Sequence, residues 1–240
     1  MLMVPSLMTA GEHYVIQDSP DGPYLVKWLG KESIVDFNLS PELRSVKVIG
    51  EMAFEMNKHI RKVILPEGLT AIRKRAFNTC ENLTSVEMPP SVREIGNSAF
   101  NMDRKLELKA LPDSLVTIGE WAFWDCTKVS VSVIPVSVRV IGRLAFTCCE
   151  GIRTFSGCKN LERIEFHDGL EKIGDFAFAR CTKLTELHLP DTVEKIGYRS
   201  FANCSLWKRW TCCPFRQLMT RLLTIATNFV NFRGVSATYR

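Results

Sequence analysis

Seven times along these 240 residues an isoleucine opens the same phrase, Ile-Gly-x-x-Ala-Phe, at Ile49, Ile95, Ile118, Ile141 and Ile173, with looser copies at Ile72 and Ile196. In chain order the copies are separated by 23, 23, 23, 23, 32 and 23 residues. A fixed period of about 20 to 29 residues marks the turn of a solenoid. One such turn is too small to bury its own apolar face, so each depends on the turns above and below it. The architecture is a stack, and function becomes a question of which surfaces the stack presents.

The other repeat positions agree. Eight residues after each isoleucine stands a small polar or thiol residue: Asn57, Cys80, Asp103, Cys126, Cys149, Cys181 and Cys204. An apolar segment follows, as in Leu83, Val86 and Met88 or Leu184, Leu187 and Leu189. Proline then recurs at Pro66, Pro89, Pro112, Pro135 and Pro190. With no N-H for a strand ladder, it marks where that segment leaves its sheet. A second apolar pair, Val92 to Ile95 or Val193 to Ile196, leads into the next Ile-Gly.

A strand, a Pro turn, a second short strand and then Ile-Gly-x-x-Ala-Phe-x-x-Cys resembles the repeat of the BspA-type leucine-rich repeat proteins, over residues 39–212. The resemblance implies a right-handed, β-rich coil of about seven to eight 23-residue turns with short helical turns. It also implies protein recognition, in several lineages as a surface adhesin. It names no ligand and carries over no catalytic residue.

Two irregularities are expected to show in the fold. The 32-residue interval has a surplus of nine, the distance from Cys149 to Cys158, which looks like a partial repeat duplication that bulges or forms a shortened rung at residues 150–157. Leu39 to Val46 reads like Leu65 to Ile72, placing an extra turn before Ile49 and making Lys47 and Val48 a two-residue insertion.

Both ends of a stack need covers. Residues 1–33 lack the repeat and read as an N-terminal cap, a hairpin of Tyr14 to Gln17 and Tyr24 to Trp28 around a Ser-Pro-Asp-Gly turn. Residues 34–213 read as the solenoid, with Trp207, Trp210 and Cys212 in the places of Leu184, Leu187 and Leu189. Residues 214–240 read as a C-terminal amphipathic helix, with Phe215, Leu218, Met219, Leu222, Ala226, Phe229 and Val230 on one side.

Charge is unevenly placed. Lys208, Arg209, Arg216, Arg221, Arg233 and Arg240 follow Cys204 with no acidic residue, so this tail carries +6 of a net +5 and the remainder 5 minus 6, or −1. A coil without a basic stripe argues against nucleic acid as partner. The tail is read as a cap over the tryptophans; its alternative is a helix lying on an anionic membrane surface, for which its Thr- and Asn-rich polar face is poorly charged.

Nothing in the chain points to catalysis, a cofactor or a small-molecule substrate. G-x-S-x-G, Walker A and H-E-x-x-H sequences are missing. Five of nine cysteines occupy one repeat position, which reads as a buried ladder of reduced thiols in a reducing compartment. His13, His59, His167 and His188 lack metal-ligand spacing to them. Cys181 with His188 is the nearest approach to a thiol and its base, and strand alternation sends the two to opposite faces. Met1 to Ala10 has no basic n-region and contains Pro5, and no apolar run approaches a membrane span. A cytoplasmic location is expected, with the cell surface as alternative.

The remaining surface is the outer side of the apolar strands. If their Leu, Val and Leu positions point inward, the outward pairs are Lys62/Ile64, Ser85/Glu87, Leu108/Ala110, Val131/Val133, Arg163/Glu165 and Glu186/His188. That makes the middle two pairs an apolar patch between charged rungs, the layout of a protein-binding surface. Lys109 and Ser132 then hold inward positions, so the alternative is a slipped register that faces them to solvent. A protein partner gripping this face is the expected function.

Overall fold

The computed structural model describes residues 7–8, 13–147, 163–181, 184, 186–202, 204 and 209–212. The chain opens with β1 (Leu7–Met8), β2 (Tyr14–Gln17) and β3 (Tyr24–Trp28), antiparallel neighbours in that order. Gly22, at φ 104°, lets the β2–β3 turn close by donating its N-H to Ser19 O at 2.9 Å. The hairpin expected here is present, and its second strand is also the first of the coil, because β3 runs parallel to the strand of the next turn.

Most turns beyond supply two short strands, and those of Thr117–Ile118 and Val140–Ile141 supply one among the described residues. β4 (Ile34–Asp36) precedes a 3-10 turn over Phe37–Leu39, the single helical turn α1 (Pro41–Arg44) and β5 (Val48–Ile49). Then come β6 (Lys62–Ile64), β7 (Ala71–Ile72), β8 (Ser85–Glu87), β9 (Glu94–Ile95), β10 (Thr117–Ile118) and β11 (Val140–Ile141). The last turns give β12 (Arg163–Glu165), β13 (Lys172–Ile173), β14 (Glu186–Leu189), β15 (Lys195–Ile196) and β16 (Arg209–Cys212). The Ile-Gly strands build one rear sheet in the order β1-β2-β3-β5-β7-β9-β10-β11-β13-β15, parallel from β3 onward. The front strands form two separate sheets, β4-β6-β8 and β12-β14-β16.

One phenylalanine per turn fills the space between. Phe54, Phe77, Phe100, Phe123, Phe146, Phe178 and Phe201 stack face to face with centroids 4.8 to 5.4 Å apart. Burying each ring is worth about 1.5–3 kcal/mol, and offset stacking adds about 0.5–1.5 kcal/mol. At the N-terminal end Tyr14 stacks on Trp28 and Trp28 on Phe54, each at 5.7 Å, so the hairpin closes the column.

Around these rings the chain takes a turn that its residue types do not announce. Twelve residues other than glycine have positive φ, and all lie three or seven places after the repeat isoleucine, as do Met52 and Met56, Arg75 and Thr79, or Trp121 and Asp125. Left-handed backbone costs an L-residue about 1–2 kcal/mol. Hydrogen bonds to the next turn offset it: Phe54 N-H donates to Ala76 O at 2.7 Å, Phe77 to Ala99 at 2.8 Å, Phe100 to Ala122 at 2.9 Å and Phe123 to Ala145 at 2.8 Å. The flanking left-handed residues donate in the same direction, Met52 to Lys74 O and Met56 to Asn78 O.

Both ladders and the aromatic column run on across the 32-residue interval. Val140 and Ile141 pair directly with Lys172 and Ile173, Val133 bridges to Glu165, and Phe146 stacks on Phe178 at 5.2 Å. The expected bulge itself falls at 150–157, outside the described residues.

The proposed Lys47–Val48 insertion is not there. Ile49 pairs with Ile72 and Thr70 N-H bonds Lys47 O, so Val46 lies where Leu69 lies one turn later. Both are fully buried, whereas Leu39, aligned in sequence with Leu65, is 82% exposed. The early turn is nevertheless longer in the front ladder, where Val35 pairs with Val63, 63 minus 35 or 28 residues on, and the 3-10 turn and α1 between β4 and β5 take up the surplus. Residues 214–240, read as a C-terminal helix, lie outside the described residues.

Candidate functional site: the front strand face

Regular front rungs bury the first, fourth and sixth residues of the apolar segment: Ile60, Val63 and Leu65, with Leu83 and Val86 in the next. Lys62 and Ile64 are left half-buried beside Ser85 and Glu87, and Lys62 Nζ pairs with Glu87 Oε1 at 2.5 Å across the rungs. Both partners are exposed enough that water screens the pair.

The next two rungs bury a different set. Leu106, Leu108 and Leu111 point inward, then Val129, Val131 and Ile134, so the inward positions become first, third and sixth. Lys109 and Ser132 face solvent. Burying an unpaired ammonium is far costlier than losing strand hydrogen bonds, and the chain turns its backbone to keep Lys109 wet. This corrects half of the expected apolar patch: Leu108 and Val131 are core residues at 7% and 1% exposure, while Ala110 and Val133 remain outside, Val133 at 44%. The slip also explains the divided front sheet. Residues 106–111 carry no strand, and between β8 and β12 the only described ladder contact is the Val133–Glu165 bridge.

Beyond the break the strand pattern resumes. Arg163 stands beside Glu186 and Glu165 beside His188 in the β12–β14 register. Trp210 and Cys212 pair with Leu187 and Leu189, as their repeat positions require. For Arg163, Glu186 and His188 the described structure is backbone alone.

A column of thiols runs beside the phenylalanines. Cys80, Cys126, Cys181 and Cys204 are buried and free of disulfides. Their Sγ atoms donate to the carbonyls of Phe54, Phe100, Phe146 and Phe178 at 3.1, 2.8, 3.8 and 3.2 Å. Burial, reinforced by the Asp103 carboxyl, pushes the Cys80 thiol far above its ordinary range, and burial pushes Cys204 up to about 12. Neither forms a thiolate near neutral pH, so neither is a nucleophile.

Asp103 is the odd member of this column. It is fully buried; its Oδ1 accepts the Cys80 N-H at 2.6 Å and its Oδ2 has no partner. Burial raises its pKa well above the carboxylate range, only partly opposed by the Cys80 N-H. From about pH 4, where the unfolded chain ionises, up to the folded pKa, the folded state holds the extra proton. Stability is therefore greatest below that window and falls as pH rises through it. Asp103→Asn should stabilise the protein at pH 7 by about 1–3 kcal/mol and flatten its stability between pH 4 and 7; urea melts across that range check both. Sequence showed Asp103 only as a small polar residue in a cysteine column, and its isolation emerges from packing.

Among the described residues no group of three His, Cys, Asp or Glu could hold a metal ion, and no helix is long and apolar enough to cross a membrane.

A coil of paired short strands on an aromatic column, presenting a broad strand face, defines a repeat scaffold of the leucine-rich repeat class. The BspA type leucine-rich repeat region, in six copies, matches residues 31–153 and 151–212. The chain belongs to that family.

Solved structures agree. A leucine-rich repeat protein of T. pallidum is 26% identical and superposes over 90% of this chain and 95% of its own with a TM-score of 0.71. A leucine-rich cell surface protein of Faecalibacterium prausnitzii is 24% identical over 87% of this chain and 54% of its own, TM-score 0.68. A leucine-rich repeat protein of Eubacterium ventriosum is 20% identical over 85% and 53%, TM-score 0.58. Among curated proteins, none matches the sequence.

Proposed function

We propose that this protein is a non-enzymatic scaffold that grips a protein partner with its front strand face. The observation carrying this reading is the slipped pair of rungs, which leaves Ala110 and Val133 outside, between the Lys62–Glu87 pair and Glu165. A small apolar centre inside a polar rim is how protein interfaces are built. Lys62, Ile64, Ser85, Glu87, Ala110, Val133 and Glu165 form the proposed footprint, with Arg163, Glu186 and His188 continuing it in register. The buried thiols of Cys80 and Cys204 support a reducing compartment; recovery in the surface fraction of source cells would overturn that placement.

Affinity capture from source-cell lysate tests the face, comparing the intact protein with an Ala110→Glu, Val133→Glu variant. Both sites are exposed, so circular dichroism should be unchanged. A partner retained by the first and lost by the second is the expected result. Equal capture by both would remove the front face from the proposal. Val131 is unsuitable for the test, because a glutamate in that core position would unfold the rung.

A further inference from the structure

The front strands are finished differently from the rear sheet at the N-terminal end. At the N-terminal end the rear sheet is continued by the hairpin, but β4 pairs with β6 alone and its outer edge has no neighbouring strand among the described residues. On β4 and the segments that flank it in the chain, three large apolar side chains are in the open: Leu29 at 56%, Ile34 at 59% and Leu39. Unpaired edges of this kind are usually blunted by charge or covered, because they template the addition of another strand. At the far end β16, parallel to β14, is again terminal in its sheet among the described residues.

Charge separates along the same axis. Residues 1–46 hold Glu12, Asp18, Asp21, Glu32, Asp36 and Glu42 against Lys27, Lys31 and Arg44, a net 3 minus 6, or −3. The chain after Cys204 carries +6. We propose that the free edge of β4, with Leu29, Ile34 and Leu39 on it and its flanking segments, receives the basic C-terminal end of a second copy of this chain, so that copies add head to tail.

Three features favour a second copy. A head-to-tail neighbour sets its β16 beside β4 in the direction the parallel ladder already runs, whereas a two-fold pairing of two β4 edges reverses it. The charges that meet are opposite. Within one copy the two edges are seven rungs apart, roughly 34 Å at about 4.8 Å per rung, so the tail's anchored start lies far from its own β4. Such a contact is heterologous and does not close on itself unless the rotation per copy makes a ring.

Sedimentation velocity on the full chain tests this. At low salt the mean mass should grow with concentration, and about 0.5 M salt should return it toward monomer by screening the charged ends. Ile34→Lys with Leu39→Lys should weaken association at least tenfold with unchanged circular dichroism. Glu42→Lys, remote from the core, serves if that pair fails to fold, and should weaken association too. Carbodiimide cross-links between isotopically distinct copies should join the acidic head of one to Lys208 of another. A monomer at every concentration, association indifferent to these variants, or cross-links confined within one copy would each overturn the proposal. Ala110→Glu with Val133→Glu should leave association intact, which separates this contact from the front-face site.

Discussion

Truncating Phe123 to alanine should cost the fold about 3–5 kcal/mol, read as a lower urea midpoint with little change in slope. The ring is fully buried and stacked on both sides, on Phe100 at 5.4 Å and on Phe146 at 5.3 Å. Its backbone N-H is tied to Ala145 of the next turn, so the chain cannot collapse into the void without breaking the ladder. Both neighbouring rings lose a partner face, and in a nearest-neighbour stack that loss falls on two interfaces. Phe123→Leu keeps most of the volume and should cost about 1.5 kcal/mol or less. Equal midpoints for the alanine variant and the parent would mean that the column contributes little.

Gly142→Ala should be nearly as damaging, about 3 kcal/mol, although it adds a single methyl group. A Cβ on Gly142 would stand 2.5 Å from Glu120 N and from Gly119 C, which are backbone of the preceding turn. Neither side can yield, because Gly142 N-H bonds Ile118 O at 2.8 Å. The contact varies toward the N-terminal end: a Cβ on Gly96 would meet Arg73 C at 2.8 Å, and one on Gly50 would meet Leu25 O at 2.4 Å. In that region the coil does carry a side chain at the glycine position, Arg73, whose guanidinium reaches Glu94 at 2.7 Å. Gly68→Ala is the matched control, strained by its φ of 81° but facing only the flexible end of Lys47, and should cost about 1–2 kcal/mol. Urea melts of both variants check the ranking, and a Gly142→Ala midpoint at or above that of Gly68→Ala would refute the steric account.

What the sequence shows and what it hides divide along a physical line. The isoleucine, phenylalanine and cysteine columns were legible because burial repeats with the period of the coil, and so was the hairpin, whose turn residues have few other uses. The rung slip was half legible. Lys109 and Ser132 signal a conflict, but which neighbours turn inward depends on spacing, and Leu108 and Val131 prove to be the ones while Ala110 and Val133 stay out. The early turn was misaligned because Leu39 to Val46 repeats the spacing of Leu65 to Ile72 without sharing its burial. Least legible were the left-handed turns: Met52, Trp121, Leu144 and Phe176 are residue types that avoid positive φ, and only the bonds between turns hold them there.

The bonds made at these left-handed turns all run one way. In every described turn the N-H groups beside the phenylalanine column donate toward the C-terminal end, and the carbonyls wait for donors from the N-terminal side. Along this column the two covers therefore face opposite chemical demands, although in the rear sheet the hairpin also accepts, from Gly50 N-H at Leu25 O. At the head, Trp28 N-H reaches Ala53 O at 2.9 Å and the Lys27 ammonium reaches Met52 O at 2.8 Å, so the hairpin acts there as a set of donors. A cover for the tail must offer acceptors instead. The coil is thus a vectorial object, like a row of magnets, and a cap transplanted from one end to the other would bring the wrong pole to the joint.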